Sequence, residues 1–502
     1  HPKIASTDAR MLRSGVTRFR TTRAARRRVR RSPHFAMPPR KRAREASGDP
    51  VDTEEGSARA RDSTEPPSTT APSAPCPYLD TVNLANLDFD FEKRCAVSLS
   101  PVHVYACLVC GKYFAGRGKK THAHAHALEC GHHVFMRLAD GAAWCLPDGY
   151  EVVDEGTTLS RIRDVLAPTY AKKYVEEEIE GARPMWRRAL DGTEFLVGVV
   201  GLNAIWSKRD DGVSAVLQSL NRVAPLRRAL LLDDARERED VYRALADITK
   251  KIWNARNFKG HSSPHEFMQA VRNRSKDAFG AETGNHDAAQ FLRWLLNELI
   301  RDEKKRGEKR SVIQSCFQGE VEIIDDSSAS RASPFLMLSM DLPNAPLFQD
   351  VMEKNIIPQV SLERALLKKF DGVTADPKTR RRFKITKLPN YLIVNYSRFT
   401  KNNFFVEKNP TIVTFPTRGL NLADHIPVPR GDENSATYDL IANIVHDGAP
   451  DDGSYRAMVY HAPDKNWYET QDLRVAEVLP QQVNLTETYV QIYERRDKRR
   501  DA

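Results

Sequence analysis

Three cysteines and five histidines are concentrated in one stretch of the chain, CLVCGKYFAGRGKKTHAHAHALECGHH (107–133). Two residues separate Cys107 from Cys110, and this spacing lets one turn present both thiolates to a single Zn²⁺. Two histidines further along would complete a tetrahedral site, but the spacing leaves open which two, and a buried thiol pair in a histidine-rich loop is the alternative. The candidates are His122, His124, His126, His132 and His133.

A second stretch, DDGSYRAMVYHAPDKNWYETQDL (451–473), has the pattern of a catalytic segment. In such a segment a histidine after the glycine and a carboxylate after Trp-Tyr would face a distant cysteine. Here Ser454 follows Gly453, and Gln471 stands ahead of Asp472. A serine takes no proton from a thiol, and a glutamine does not stabilise an imidazolium, so these residue types argue against that chemistry.

These residues need two folded regions to position them. Residues 76–155 are dense in cysteine, histidine, glycine and aromatics, which is typical of a small domain organised by a metal. Apolar positions at helical spacing over 159–181, interrupted at Pro168, predict a connecting helix pair. From about 195 a larger domain begins, with helices before strands, which predicts an α+β fold. The predicted helices are 213–232 and 286–306, and the predicted strands are 391–399, 438–446, 455–461 and 487–493.

The positive charge lies in a tail. Residues 1–45 hold 15 Lys and Arg against Asp8 and Glu45, whereas the whole chain carries +10, so the rest is close to neutral. With the Pro/Ser/Thr-rich linker at 45–75, residues 1–75 are predicted to be disordered. PPRKRARE predicts nuclear import or a phosphate-binding arm, with a solubilising tail as the alternative. Because the chain begins at His1, the residues ahead of Met37 can also be read as translated upstream sequence.

Other features point to the nucleus or cytosol. We find no run of 18 apolar residues and no signal-peptide pattern, so we expect no membrane association and no secretion. Seven unevenly spaced cysteines without a secretory signal indicate reduced thiols rather than a disulfide framework.

The 107–133 stretch resembles the zinc-finger domain of ubiquitin-specific proteases, with its CLxCG, CGR and HAxxH motifs. The resemblance implies one zinc, held by Cys107, Cys110, His126 and His132. Ala115 stands where the family's CGR cysteine would be, which speaks against further zinc sites; Cys95 and Cys145 are single survivors of other pairs. Arg117 matches the arginine that holds a ubiquitin tail, with Tyr105 near its aromatic wall, yet an exposed arginine in a glycine turn fits equally, so ubiquitin binding stays open.

The larger domain resembles the protease domain of the same family. GLNAIWSKRDDGVSAVLQSL (201–220) is similar to GLxNLGNTCFMNSVLQ, and Asp211 falls on the cysteine position. GNHDAAQFLRWLLNEL (284–299) resembles QQDAxEFLxxLL, and GSYRAM and WYETQD place Ser454 and Gln471 at the base and its carboxylate. The resemblance implies a papain-like fold with fingers, palm and thumb, in which all three triad positions are replaced and the chain is not an enzyme.

Several stretches resemble the inactive, spliceosomal branch of this family, above all RFTKNNFFVEKNPTIV (398–413). The branch implies a non-catalytic scaffold of pre-mRNA splicing that assembles or stabilises the nuclear tri-snRNP. Its partners would be snRNP proteins, with RNA contacted indirectly or through the tail. The implied domains are the tail and linker at 1–75, the zinc finger with its connecting helices at 76–180, and the inactive protease-like domain at 195–497.

Two other functions stay open. One is a ubiquitin-binding adaptor that acts through the zinc finger. The other is a residual thiol protease that uses Cys316, which we predict to lie in a strand-like run, VIQSCFQGEV. His446 and His461 are predicted to be structural. Phe405 and Val406, next to Phe404, are interpreted as an exposed protein contact or a buried strand corner.

Overall fold

The computed structural model describes residues 76–153, 158–181, 183–203, 210–234, 238–280, 287–308, 310–325, 330–343, 358–377, 379–401, 405–429 and 436–496. The chain divides into two compact units at Pro66 and Pro67, and every described residue belongs to the second unit. The predicted tail and linker at 1–75 lie outside the described residues, as does Phe404. None of the described helices is both long and apolar enough to cross a membrane.

The N-terminal module is a five-stranded antiparallel sheet with one helix against it, in the order β2-β1-β3-β4-β5. The backbone conformation of the CLVCG turn requires a glycine at position 111. Gly111 has φ +75°, and a Cβ there would lie 2.0 Å from the carbonyl oxygen of Asn86. The elements are β1 (Val104–Cys107), β2 (Tyr113–Ala115), α1 (His122–Cys130), β3 (Val134–Arg137), β4 (Ala143–Cys145) and β5 (Tyr150–Glu151).

The predicted helix pair connects this module to the rest. It consists of α2 (Thr158–Leu166) and α3 (Lys172–Tyr174), and α3 continues as a π-helical turn over Val175–Ile179. A hairpin of β6 (Trp186–Arg188) and β7 (Glu194–Leu196) follows. The short strand β8 (Gly201–Leu202) then pairs in parallel with β9 (His261–Ser262).

The helical half contains two differences from the predicted elements. Residues 213–232 form two helices rather than one, because the chain turns at Asn221–Val223 and Pro225 cannot continue the first helix. VIQSCF is a helix rather than a strand, since the Ser311 hydroxyl accepts from the backbone N–H of Gln314 at 3.0 Å and caps it. The helices are α4 (Asp211–Leu220), α5 (Ala224–Leu232), α6 (Asp240–Ile252), α7 (His265–Ser275), α8 (Ala288–Lys305) and α9 (Val312–Phe317).

Two larger sheets follow these helices. A four-stranded sheet has the order β11-β10-β15-β14, and an eight-stranded sheet has the order β12-β16-β25-β21-β22-β23-β24, with β20 pairing with β21. The elements are β10 (Gly319–Ile324), β11 (Ser330–Phe335), β12 (Leu338–Asp341), β13 (Gln359–Ser361), β14 (Asp371–Ala375), β15 (Arg382–Lys387), β16 (Tyr391–Ser397), β17 (Phe399–Lys401), β18 (Val406–Lys408), β19 (Ile412–Thr414), β20 (Leu420–Asn421), β21 (Thr437–Asp447), β22 (Ser454–His461), β23 (Asn466–Gln471), β24 (Arg474–Val478), α10 (Pro480–Val483) and β25 (Thr488–Arg495).

The eight-stranded sheet separates two hydrophobic cores. Its face towards α4–α9 buries residues such as Ile393, Ile444 and Val459 against Val216 and Leu296. Its other face packs with the four-stranded sheet and the 358–428 region. The eight-stranded sheet is antiparallel except for the parallel pair of β12 and β16, and helices on one face of such a sheet make this an α+β fold, as predicted.

An acidic segment joins the zinc-finger module to the larger domain. The carboxylate of Asp90 accepts from Lys251 Nζ at 2.8 Å and from the backbone N–H of Ser263 at 3.0 Å. Asp88 pairs with Lys259, and the rings of Phe89 and Phe258 pack with centroids 5.4 Å apart. The two modules are therefore in direct contact, although the domain limits at 76–180 and 195–497 stay predictions.

Candidate metal centre and the predicted triad positions

Three local structures bring four predicted zinc ligands together. Cys107 ends β1, and Cys110 lies in the tight turn closed by the hydrogen bond from Gly111 N–H to the Cys107 carbonyl at 2.9 Å. His126 lies in the middle of α1, where its ring stacks on Phe114 with centroids 4.2 Å apart. His132 follows the left-handed residue Gly131, which ends α1.

The spacing of these four side chains matches a tetrahedral site. All four ligand atoms lie within 4.8 Å of one another. Cys107 Sγ is 3.5 Å from His132 Nδ1, Cys110 Sγ is 3.4 Å from His126 Nε2, and the two histidine nitrogens are 3.1 Å apart. A zinc tetrahedron with ordinary Zn–S and Zn–N bonds has edges of about 3.3–3.8 Å, so the four donors fit Zn²⁺ closely.

The electrostatics of the cluster also favour a cation. Burial and the neighbouring Cys110 raise the pKa of the Cys107 thiol to about 12. Burial and the nearby His132 lower the pKa of His126, which favours the neutral imidazole. Zn²⁺ would offset the charge of the two thiolates and accept the lone pairs of two neutral imidazoles.

The remaining cysteines and histidines of the module lie elsewhere. Among the described residues, no other group of three or more metal-ligating side chains comes together. His133 Nδ1 is 2.8 Å from the carbonyl oxygen of Leu146 and stacks on Tyr78. Sequence reasoning missed that Cys76 approaches β5, where its sulfur accepts from the Tyr150 hydroxyl at 3.2 Å. Because Cys76 is distant in sequence, no spacing rule would have found this contact.

The two residues that the family resemblance relates to ubiquitin-tail binding, Arg117 and Tyr105, do not lie against each other. The guanidinium of Arg117 lies over the ring of Trp144, 3.7 Å from its centroid. Tyr105 is fully buried in the core of the module. The aromatic partner of Arg117 is therefore Trp144, and Tyr105 supports the sheet from inside.

Two of the three predicted triad positions line one small cavity, and the third, Ser454, is hydrogen-bonded to one of them. Asp211 begins α4, Ser454 begins β22, and Gln471 ends β23. Gln471 Nε2 donates to the Ser454 hydroxyl at 3.2 Å. Asp211 and Gln471 line a cavity of about 10 Å³, which holds about one water molecule.

Asp211 joins the helical half to the eight-stranded sheet. One carboxylate oxygen accepts from the backbone N–H of Gly212 at 2.8 Å, and the other accepts from the backbone N–H of Tyr455 at 2.6 Å. Burial raises the pKa of Asp211 to about 6, and nearby Asp472 and Asp210 add to this effect. The side chain is thus a structural acceptor between α4 and β22.

The nearby histidines and Cys316 are buried in structural positions. Burial and Lys408 lower the pKa of His446 to about 4, and its ring packs edge-on against Tyr455. Burial also lowers the pKa of His461 to about 4, although Asp464 accepts from its Nδ1 at 2.9 Å. Burial raises the pKa of the Cys316 thiol to about 12, which disfavours the thiolate.

The described part of the 398–413 segment contains a buried arginine, Arg398, and an exposed hairpin. Arg398 is fully buried and donates to the carbonyl oxygens of Thr488, Asn409 and Thr411. The hairpin of β17 and β18 follows it, and Phe405 is 59% exposed. Of the two interpretations of this segment, exposure at Phe405 favours a protein contact.

A zinc-finger module followed by helices, a small sheet and a large sheet defines a two-domain protein with the architecture of ubiquitin hydrolases. Residues 213–493 match the family described as ubiquitin carboxyl-terminal hydrolase. Residues 95–157 match the zinc finger in ubiquitin-hydrolases and other proteins. The chain belongs to the ubiquitin carboxyl-terminal hydrolase family, and the four-stranded sheet, the eight-stranded sheet and the helical half are its fingers, palm and thumb.

Similar proteins cover most of the chain. It is 45% identical to ubiquitin carboxyl-terminal hydrolase 39 of Mus musculus over 462 residues, 84% of this chain and 80% of that protein. It is 36% identical to the probable mRNA-splicing protein ubp10 of Schizosaccharomyces pombe, covering 83% of this chain and 88% of that protein. A crystal structure of an essential yeast splicing factor aligns with a TM-score of 0.72 and 29% identity, over 84% of this chain and 100% of that chain.

Proposed function

We propose that this protein is a non-catalytic scaffold of pre-mRNA splicing that assembles or stabilises the spliceosomal tri-snRNP in the nucleus. Support comes from a fission-yeast relative named as an mRNA-splicing protein and from the fold of an essential yeast splicing factor. The partners are then snRNP proteins, with RNA contacted indirectly or through the basic tail. The domains of this scaffold are the tail and linker at 1–75, the zinc finger at 76–180 and the protease-like domain at 195–497.

The bonding of Asp211 is the observation that carries the non-catalytic part of this proposal. A thiol protease needs a thiolate beside a general base. At the proposed triad positions there are instead a carboxylate held by two backbone amides and a serine bonded to Gln471. In this proposal Asp211, Ser454 and Gln471 replace the nucleophile, the base and its orienting carboxylate.

The proposal includes one structural zinc ion held by Cys107, Cys110, His126 and His132. The interatomic distances of this cluster support it. When bound, the metal supplies folding free energy to the zinc-finger module. It takes part in no reaction, because all four donors are protein side chains and no position is left for a substrate.

Co-purification from nuclear extract tests the scaffold role. We expect tagged full-length protein to recover snRNP proteins together with their small nuclear RNAs. Recovery of ubiquitin conjugates without snRNP proteins would instead favour the ubiquitin-binding adaptor.

Reaction with a ubiquitin C-terminal electrophile tests the absence of catalysis. We expect no covalent adduct, whereas an active ubiquitin protease used as the control is labelled. An adduct that Cys316→Ala abolishes would contradict the proposal and identify a residual protease. Titration with ubiquitin with and without its C-terminal Gly-Gly separately tests the adaptor function.

A further inference from the structure

A cavity of about 410 Å³ opens where three elements from distant parts of the chain meet. Arg161 comes from α2, Arg188 comes from β6, and Arg256 comes from the loop after α6. Ser160 and Asn257 add polar groups to the same walls. Within the part of the chain that the structure describes, no acidic side chain lines this cavity, although Glu194 and Asp164 pair with two of its arginines from outside the lining.

The three guanidinium groups are accessible to a ligand. Arg188 pairs with Glu194 at 3.1 Å, but the two side chains are 70% and 68% exposed. Arg256 pairs with Asp164, and these side chains are also exposed. Ion pairs between exposed side chains contribute little to stability, so a ligand displaces them at small cost. Arg161 is exposed and makes no ion pair with the described residues.

An exposed aromatic ring lies on the same strand as one of these arginines, Arg188. Trp186 is 55% exposed and lies two residues before Arg188 on the same strand, β6. Side chains at positions i and i+2 of a strand lie on one face, about 7 Å apart along it. A large exposed ring next to a positive cavity is the combination with which proteins bind single-stranded nucleic acid, through base stacking and backbone contacts.

We propose that this cavity and Trp186 bind single-stranded RNA directly. The phosphates contact Arg161, Arg188 and Arg256, and one unpaired base stacks on Trp186. The exposed ring favours RNA over a phosphopeptide, which has no base to stack, and favours a single strand over a duplex, whose bases are already stacked. This site lies on the folded domains and is separate from the basic tail, so the inference goes beyond the proposed scaffold role and does not depend on it.

Fluorescence anisotropy of a labelled short oligouridylate, with full-length protein at a series of salt concentrations, tests the proposal. The tail contributes equally to every variant, so differences between variants report on the cavity. In the combined variant Arg161→Gln, Arg188→Gln and Arg256→Gln, we expect the slope of log K against log salt to fall by about 2. We expect Trp186→Ala to weaken binding about tenfold and Trp186→Phe to restore most of the affinity.

Arg243→Gln provides a matched control, because Arg243 is also an exposed arginine paired with a carboxylate, Asp240, but lies outside the cavity. We expect this variant to bind as the wild type does. Photocrosslinking with 4-thiouridine RNA should label peptides around Trp186. Crosslinks confined to residues 1–45, with unchanged affinity in all cavity variants, would overturn the proposal. A phosphoserine peptide that binds as tightly as the RNA, with no effect of Trp186→Ala, would overturn it as well.

Discussion

At the scale of single residues, the three positions that we predict to correspond to a catalytic triad make structural contacts in this fold. Asp211 is buried, and its two oxygens accept from backbone amides of different elements. Ser454 and Gln471 are half-buried, and their side chains are hydrogen-bonded to each other. The three positions should therefore respond differently to substitution.

Replacing Asp211 should destabilise the protein without affecting any chemistry. Asp211→Ala leaves the Tyr455 N–H buried without an acceptor, which costs about 1–3 kcal/mol. Ser454→Ala removes one half-exposed hydrogen bond and should cost less than about 0.5 kcal/mol. Denaturant unfolding of both variants measures the difference, and equal stabilities would contradict the role of Asp211.

The stability contributed by Asp211 should depend on pH in a defined direction. Its pKa is raised in the folded state to about 6, above the ordinary value of 3.8, so the folded state binds the proton more tightly. The part of the stability that comes from this proton binding is therefore fully present below about pH 4 and is lost as the pH rises through 6, whereas the hydrogen bond from Tyr455 remains. The free energy of unfolding should be measured for the wild type and for Asp211→Asn at several pH values. The value for the wild type minus that for Asp211→Asn should increase as the pH falls. A difference independent of pH would be inconsistent with the raised pKa.

The zinc site gives a prediction with a matched cysteine control. Cys110→Ala should lower the bound zinc from one equivalent to a small fraction and unfold the zinc-finger module, because structural zinc supplies on the order of 10 kcal/mol in small modules. Cys130→Ala removes an exposed cysteine outside the cluster and should retain the metal. Metal analysis and circular dichroism check both variants. Two bound zinc ions, or a module that survives chelation, would show that the assignment is wrong.

At the scale of elements, the segment that follows Leu87 couples the zinc finger to the thumb. Asp90 holds both the amine of Lys251 and the backbone of Ser263, and the Lys251 side chain is only 14% exposed. Removing the carboxylate leaves a largely buried cation without its partner, which is costly. The contact between the two modules thus combines this charged group with the apolar packing of Phe89 on Phe258.

Asp90→Asn should partly uncouple the two modules. We expect a loss of about 1–3 kcal/mol and earlier melting of the zinc-finger module. Asp140→Asn, which removes a surface partner of Arg137 in the same module, serves as the control and should change stability little. Differential scanning calorimetry measures both variants. A single unshifted transition for Asp90→Asn would contradict this coupling.

At the scale of the whole molecule, the tail carries the excess of positive charge, and the arginine cavity brings three further positive side chains together. Removing residues 1–44 should abolish nuclear accumulation, because the basic clusters of the chain that resemble an import signal lie there. The same truncated protein, fused to an unrelated import signal, should still co-purify with snRNP proteins through its folded domains. Microscopy and co-purification check the two outcomes, and a truncated protein that reaches nuclei but recovers no snRNP proteins would place the binding surface in the tail.

The amino-acid sequence by itself determined the α+β class, the order of the two domains and the candidate chemistry. Alternating and helical apolar patterns predicted β21, β22, β25 and α8, because these elements bury one face and their local pattern follows that face. The sequence also contains local signals for the two helical regions that were predicted wrongly, 213–232 and 312–317. Pro225 marks the break after α4, and the Ser-x-x-Gln pattern at Ser311 marks the helix that holds Cys316.

Only the tertiary structure decided which groups meet. Spacing alone left five candidate histidines, and the family resemblance implied His126 and His132; the direction of α1 and the turn at Gly131 bring those two to Cys107 and Cys110. The bond from Tyr455 to Asp211 spans 244 positions of the chain, and the cavity gathers arginines from three separate elements. A local sequence pattern records which face of an element is buried, whereas contacts between distant residues arise from how the elements pack, and for that reason they could be read only from the folded chain.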